Sequence, residues 1–168
     1  VSEWAGGKTT QLYIYPQGSE YAKRNFLLRI SSATVECERS EFTSLPQVER
    51  IILPLSGSLH LFYEGHGEKK LEPFEQDRFD GGWKTVSVGR ATDFNVMLRE
   101  GTQAQVRLLD VNPNEQASVE VAANGLTAVF AAQGTAVVDG KALPERGLAV
   151  AKEEGSFLLT GGSVGCRL

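Results

Sequence analysis

The sequence predicts an all-β protein made of two stacked β-rolls, and three observations carry that prediction. Short runs rich in β-branched and aromatic residues are broken by turn signals, supplied by 18 glycines and 6 prolines among 168 residues. Convincing amphipathic helical periodicity is missing. The order of strand, glycine, hairpin and proline seen from Ile51 to Pro73 returns from Ala128 to Pro144, a pattern that any two glycine-turned hairpins share in part.

Taken in order, Trp4 to Thr10 reads as a glycine-rich entry, and Gln11 to Tyr15 alternates into a short strand that Pro16 and Gly18 stop. Asn25 to Glu36 reads as the longest strand, with Phe26, Leu28 and Ile30 on one face and Leu27, Arg29, Ser31, Ala33 and Val35 on the other. Arg50 to Leu55 is an apolar strand that Pro54 marks as an edge or a bulge. Gly57 separates it from Ser58 to Tyr63, which runs out to a turn at Gly65 to Gly67, and Leu71-Glu72-Pro73-Phe74 closes the hairpin. Asp80-Gly81-Gly82 turns the chain into a strand from Trp83 to Val88, and strands are expected again at Asp93 to Arg99 and Gln105 to Val111. Asn112-Pro113-Asn114 is a turn cluster that bounds two halves, 1–110 and 111–168. In the second half Gly134 takes the place of Gly57, Leu143-Pro144 that of Leu71 to Pro73, Leu148 to Val150 that of the residues near Phe79, and Ser156 to Leu159 that of Thr85 to Val88.

A chain 41% hydrophobic at this length can bury one good core or two small fused ones. Lys plus Arg (17) against Asp plus Glu (21) gives a net charge of −4, so no basic excess exists to neutralise phosphates, and neither nucleic acid nor membrane is an expected partner. Cys37 and Cys166 are far apart and in no metal-like spacing, which implies no disulfide framework and fits a reducing cytoplasm. Val1-Ser2-Glu3-Trp4 lacks the basic and apolar regions of a signal peptide, and no apolar run approaches the roughly 18–20 residues that span a bilayer. A cytoplasmic protein is the expectation.

The most informative stretch is Asp93 to Arg99. Its period of two puts Phe94, Val96 and Leu98 on one face and Asn95, Met97 and Arg99 on the other. An amide, a thioether and a guanidinium make a costly packed interior, because an unpaired buried polar group costs roughly 1–3 kcal/mol. Such a face either lines a wet pocket or lies exposed on a sheet edge. Arg29 poses the same choice: Ser31 and Ala33 leave room before its guanidinium for a small anion, or it is paired to a neighbouring carboxylate.

Other chemistry is poorly supported. A histidine-based metal site on β-strands needs a pair such as His-x-His with further ligands, whereas His60 lies mid-strand and His66 in a glycine turn. Ser31, Ser56 and Cys37 carry no nucleophile signature, and Gly6-Gly7-Lys8-Thr9 lacks the preceding strand and first glycine of a phosphate loop.

One set of residues resembles a known family: Trp4-Ala5-Gly6-Gly7-Lys8-Thr9, then Phe26, Arg29, Ser31 and Ala33, then Phe42-Thr43, Glu49-Arg50, Gly57, Phe79-Asp80-Gly81, and Asp93-Phe94-Asn95-Val96-Met97 with Arg99. In this order they resemble the HutD/Ves family over roughly residues 4 to 100, the Asp-Phe-Asn-x-Met block being the most specific piece. The resemblance implies a cupin-like double-stranded β-helix in two fused copies, a bicupin, associated with histidine utilisation or stress response. It implies sensing or buffering of an intermediate such as N-formylglutamate or urocanate, and no firmly assigned catalysis. Leu28 stands where the family often has Trp, and Leu45-Pro46-Gln47 where it has Phe-Pro-Gly; both departures concern pocket walls or a turn.

Two functions follow. In the first, Arg29 and Arg50 fix a small anionic metabolite beside Ser31, Asn95 reads an amide or formyl group, and Met97 and Phe79 form apolar walls, with no cofactor, metal or catalytic residue. In the second, the same residues bind substrate while Asp93, Asp80 or Glu49 acts as general base in a metal-free isomerisation or hydrolysis. The shortage of histidine favours binding over catalysis. A protein-interaction module is the third reading, and a homodimer is compatible with all three.

Overall fold

The structure, a computed structural model, describes residues 1–4, 6–121, 125–152 and 155–168, so that Ala5 of the Trp4-Ala5-Gly6-Gly7 stretch lies outside the described residues. The chain divides into two units, Val1–Val106 and Arg107–Leu168. Among the described residues the one helical element is a single 3-10 turn, Tyr21–Lys23, and no helix is long and apolar enough to cross a membrane. The protein is all-β.

The first unit holds β1 (Ser2–Trp4), β2 (Gly7–Tyr15), β3 (Leu28–Val35), β4 (Arg39–Glu41), β5 (Glu49–Gly57), β6 (Leu59–Tyr63), β7 (Gly67–Leu71), β8 (Asp77–Asp80), β9 (Thr85–Val88) and β10 (Ala91–Leu98). A six-stranded sheet runs β1-β2-β3-β10-β5-β8, and a four-stranded sheet runs β4-β9-β6-β7, with antiparallel neighbours throughout. Ile52 and Phe79 from the first sheet pack with Leu59, Leu61, Tyr63 and Leu71 from the second, so one core joins the two layers. A second cluster of Phe26, Leu45, Val48 and Met97 lies beneath the 3-10 turn, with Tyr21 packed on it. β10 lies between β3 and β5, and Phe94, Val96 and Leu98 are as buried as Asn95 and Met97. The exposed-edge reading of that strand is therefore replaced by a central strand buried on both faces.

Pro54 marks a bulge. Ser56 opposes Thr92 and Pro54 opposes Asp93, so Leu55 is the extra residue in β5. Gly57 is then obligatory: its φ is +70°, and a β-carbon there would stand 2.2 Å from the Arg90 carbonyl oxygen. Gly57→Ala is expected to destabilise the protein by about 2–4 kcal/mol, as strain at a left-handed position adds to a backbone clash. Urea unfolding of the variant measures this, with Gly65→Ala at the open tip as control, since a β-carbon there meets nothing within 4 Å.

The second unit holds β11 (Asp110–Val111), β12 (Gln116–Val121), β13 (Thr127–Phe130), β14 (Gln133–Val138), β15 (Lys141–Leu143), β16 (Leu148–Ala151) and β17 (Gly155–Arg167). β17 pairs with β11, β12 and β14, β14 pairs with β15, and β13 pairs with β16. Its core holds the apolar side chains of Val111, Val121, Val129, Ala136, Val138, Leu143, Phe157 and Leu159. The pairings β13 to β16, β14 to β15 and β14 to β17 follow the same sequence order as β5 to β8, β6 to β7 and β6 to β9. Gly134, at φ +72°, would put a β-carbon 2.3 Å from the Gly165 carbonyl oxygen, much as Gly57 does against Arg90.

Several strand limits differ from the sequence reading. The stretch from Gly7 joins the ladder with β3 before Gln11, because Gly7 sits tight on the backbone of Thr34 where a side chain would collide. Asn25 stays out of β3, since its side chain accepts the Glu20 N–H at 2.7 Å and closes the preceding loop. Trp83 stays out of β9, its N–H bonding the Asp80 carbonyl at 3.1 Å in the turn. Gln105 to Leu109 is not a strand, and the longest described strand is β17, 13 residues, not Asn25 to Glu36.

Candidate functional site

Every buried polar or charged side chain among the described residues lies in the first unit: Arg29, Ser31, Ser40, Arg50, Thr85, Ser87, Asp93 and Asn95. Five of these come together on the inner face of the six-stranded sheet. Residues directly opposite each other across an antiparallel ladder point to the same side. Arg29 opposes Met97, Met97 opposes Arg50, and Arg50 opposes Phe79, which makes one row across β3, β10, β5 and β8. The next row is Ser31, Asn95, Ile52 and Asp77, and the row after it Ala33, Asp93 and Pro54. With one strand between them, the backbones of Arg29 and Arg50 stand roughly 10 Å apart.

The two arginines are held differently. Arg29 donates through Nε to Gln11 Oε1 at 3.0 Å and through Nη1 to Ser31 Oγ at 3.2 Å, and Met97 Sδ lies 3.7 Å away. Its guanidinium lies 4.3 Å from the centre of the Tyr21 ring, against which Arg24 also packs, at 4.1 Å. Arg50 lies over Phe42 at 4.6 Å and Phe79 at 5.3 Å, and its Nε is buried with no hydrogen-bond partner. Asn95 Oδ1 and Arg99 Nε are buried and unpartnered as well. Among the described residues neither Arg29 nor Arg50 forms a salt bridge, so pairing to a neighbouring carboxylate does not account for Arg29.

Burial governs the charges. It lowers Arg29 from its ordinary value and brings Arg50 down to about 10, the Asp93 carboxylate offsetting part of the latter. Burial pushes Asp93 up to about 7, against the pull of Arg50 and of the Ala33 N–H that reaches Oδ1 at 3.3 Å. From the opposite sheet Tyr63 donates to Asp77 Oδ2 at 2.7 Å, and burial with this bond raises the Tyr63 phenol. The face thus presents two desolvated guanidinium groups and two carboxylates, Asp93, which ionises near neutrality, and Asp77, which accepts from Tyr63.

The structure gathers Arg29, Ser31, Arg50, Phe79, Asn95 and Met97 on this face, with Ser31 accepting a hydrogen bond from Arg29. Of the three carboxylates considered as bases, only Asp93 is here. Glu49 is exposed and pairs with Arg78, and exposed Asp80 accepts the Gly82 N–H at 2.7 Å. Gln11, Tyr21, Phe42, Tyr63 and Asp77 were not among the site residues read from the sequence. Phe42 alone had a signal, as part of the family pattern; the rest reach the face through pairings of distant strands and loops. His60 lies 3.4 Å from Glu68, and His66 stacks on Trp83 at 4.0 Å. Among the described residues no three His, Cys, Asp or Glu side chains gather as metal ligands, and Cys37 and Cys166 are free thiols.

Comparison with solved structures places this fold among known ones. HutD from Pseudomonas fluorescens aligns with a TM-score of 0.73 at 20% identity, covering 99% of this chain and 89% of that one. A conserved protein of unknown function from Pseudomonas aeruginosa aligns at 0.77 with 21% identity, over 98% of this chain and 89% of that one. The bacterial pirin YhhW from Escherichia coli, in complex with nickel(II), aligns at 0.73 with 10% identity, over 99% and 91%. The fold is cupin-like and shared with pirins. No match is found among curated proteins. The family model described as HutD matches residues 1–164, nearly the whole chain, and the protein therefore belongs to the HutD family.

Proposed function

We propose that the protein binds a small carboxylate metabolite on the inner face of the six-stranded sheet, without catalysis, and that it senses or buffers an intermediate of histidine utilisation such as N-formylglutamate or urocanate. One observation carries the reading: among the described residues two guanidinium groups are buried with no salt bridge, and Arg50 Nε has no hydrogen-bond partner. A buried charge is costly unless paired, and a ligand carboxylate supplies the missing counter-charge in the two-pronged geometry a guanidinium favours. Arg50 then works on the Phe79 side of the row and Arg29 on the other, with Met97 between them as apolar floor. Titration calorimetry with both acids tests this, the uncharged amide of each as control. Binding of the acids alone supports it, and failure of both to bind overturns it.

We read the two units as two copies of one β-roll, the bicupin arrangement. The matching strand order and the paired strains at Gly57 and Gly134 support that reading, and a family pattern tied to bacterial metabolism supports a cytoplasmic setting. A second function, a metal-independent isomerase or hydrolase, has one observation in its favour: Asp93, pushed to about 7, is tuned as a general base would be. Turnover of either acid, lost in Asp93→Asn, would establish it over simple binding.

A further inference from the structure

The outer face of the four-stranded sheet has a charge order of its own. Residues opposite each other across its ladders form two rows, Arg39-Val88-His60-Lys70 and Glu41-Val86-Phe62-Glu68, running across β4, β9, β6 and β7. Ser40, Ser87 and Leu61 alternate with them and are buried, which marks the inner side. Apolar and aromatic groups fill the middle of both rows: Val88 is 36% exposed, Val86, Phe62 and His60 are half-buried, and the His60 and Phe62 rings lie 4.1 Å apart. At the two edges the exposed charges are sorted by row, positive at Arg39 and Lys70, negative at Glu41 and Glu68. His60 lies 3.4 Å from Glu68 and Lys70 lies 3.1 Å from Glu72, but among the described residues Arg39 and Glu41 form no salt bridge. Beyond the two rows Lys84 pairs with Glu64 and Arg90 with Glu38, so the flanks add no net charge.

Such a face is complementary to itself in one orientation. A two-fold axis lying in the interface and parallel to the rows turns the positive row of one copy onto the negative row of the other. Arg39 then meets Glu41 of the second copy, Val88 meets Val86, His60 meets Phe62 and Lys70 meets Glu68, and the symmetry makes each contact twice. An axis parallel to the strands would instead set Arg39 against Lys70 and Glu41 against Glu68, like charge against like. We propose that this face is a docking surface for a second copy of this chain, in a two-fold dimer whose axis crosses the strands between the two rows. Exposed valine and half-buried rings supply a dry centre, and the sorted charges fix the register around it. Four strands roughly 4.8 Å apart and two rows roughly 7 Å apart make a face on the order of 300 Å² per subunit, well under the roughly 800 Å² of a standard stable interface. The dimer is therefore weak and forms at high protein concentration.

Analytical ultracentrifugation of the full chain from about 10 μM to 1 mM, a range that brackets a weak dimer, tests this. In low salt the mean mass is expected to climb with concentration from 18.2 kDa toward twice that value, and added sodium chloride to push it back as the ion pairs are screened. Arg39→Glu and Glu41→Arg, each alone, set like charges against each other at two symmetric contacts and are expected to weaken dimerisation at least about tenfold. The double variant Arg39→Glu/Glu41→Arg exchanges the signs and is expected to restore it to within about threefold of wild type, a rescue specific to the proposed axis. Circular dichroism checks the fold of each variant. Should one of the single variants fail to fold, Lys70→Glu, Glu68→Lys and their combination repeat the exchange at the other edge of the sheet. A mass that stays at 18.2 kDa throughout overturns the proposal. So does self-association that neither single reversal weakens, or a double variant as impaired as the single ones, since either result puts the contact on another face or about another axis.

Discussion

Arg50→Met is expected to weaken carboxylate binding by about 2–5 kcal/mol while leaving the free protein as stable as before or more so. The two halves of that expectation come from one fact, that Arg50 lies buried between Phe42 and Phe79 with no salt bridge and an unpartnered Nε. In the free protein the desolvation of its charge is offset only in part, by the two ring faces and the Asp93 carboxylate, so a methionine of similar length can fill the space against the two rings at little electrostatic cost. In the complex the same charge meets a carboxylate out of water, where removing one partner of a pair is expensive. Arg50→Lys is expected to recover little, since an ammonium neither lies flat on the rings nor offers two parallel donors. A smaller loss is expected for Arg29→Lys, because Gln11 and Ser31 already share its donors. Calorimetry paired with thermal melts reads both halves. A variant that melts early yet binds normally would make Arg50 a packing residue and move the site elsewhere.

Asp93 is expected to make stability fall as pH rises toward neutrality. Its folded-state value is about 7 because burial outweighs the pull of Arg50, whereas an unfolded aspartate titrates near its ordinary value of 3.8. Between those two values the folded protein holds the proton and the unfolded chain does not, so the slope of unfolding free energy with pH is negative. The contribution is fully present below about pH 4 and is lost as pH rises through about 7, on the order of 4 kcal/mol in all. Asp93→Asn keeps the acceptor for the Ala33 N–H and cannot ionise, so it is expected to be more stable than wild type at about pH 8, by a few kcal/mol, and to flatten this part of the profile. Ligand affinity follows the same proton. An ionised Asp93 competes with a bound carboxylate for Arg50, so affinity is expected to fall as pH rises through about 7, with a proton taken up on binding. Chemical unfolding across pH, and calorimetry in buffers of different ionisation heat, measure the two effects. A flat stability profile in wild type would place the Asp93 carboxylate in contact with water.

What the sequence by itself determined is local. The period of two from Asp93 to Arg99 is enough to put Asn95 and Met97 on one face, and Pro54 is enough to demand an edge or a bulge, because strand alternation and a missing N–H act within a few residues; that it is a bulge, with Gly57 left-handed after it, is seen in the structure. The recurrence of glycine and proline spacing likewise follows from turn chemistry. Tertiary structure alone decided which strands became neighbours. Arg29, Met97, Arg50 and Phe79 form one row only because β10 enters between β3 and β5, a register set by burying both faces of β10 and by the bulge at Leu55. Strand order also decided that Asp93 faces Pro54 in a dry interior and that Tyr63 crosses from the other sheet to Asp77, giving the site its electrostatics. The alternatives left open at Arg29 and Asn95 turned on whether a distant carboxylate or solvent would reach them, and that depends on contacts between segments far apart in the chain, which no local pattern encodes.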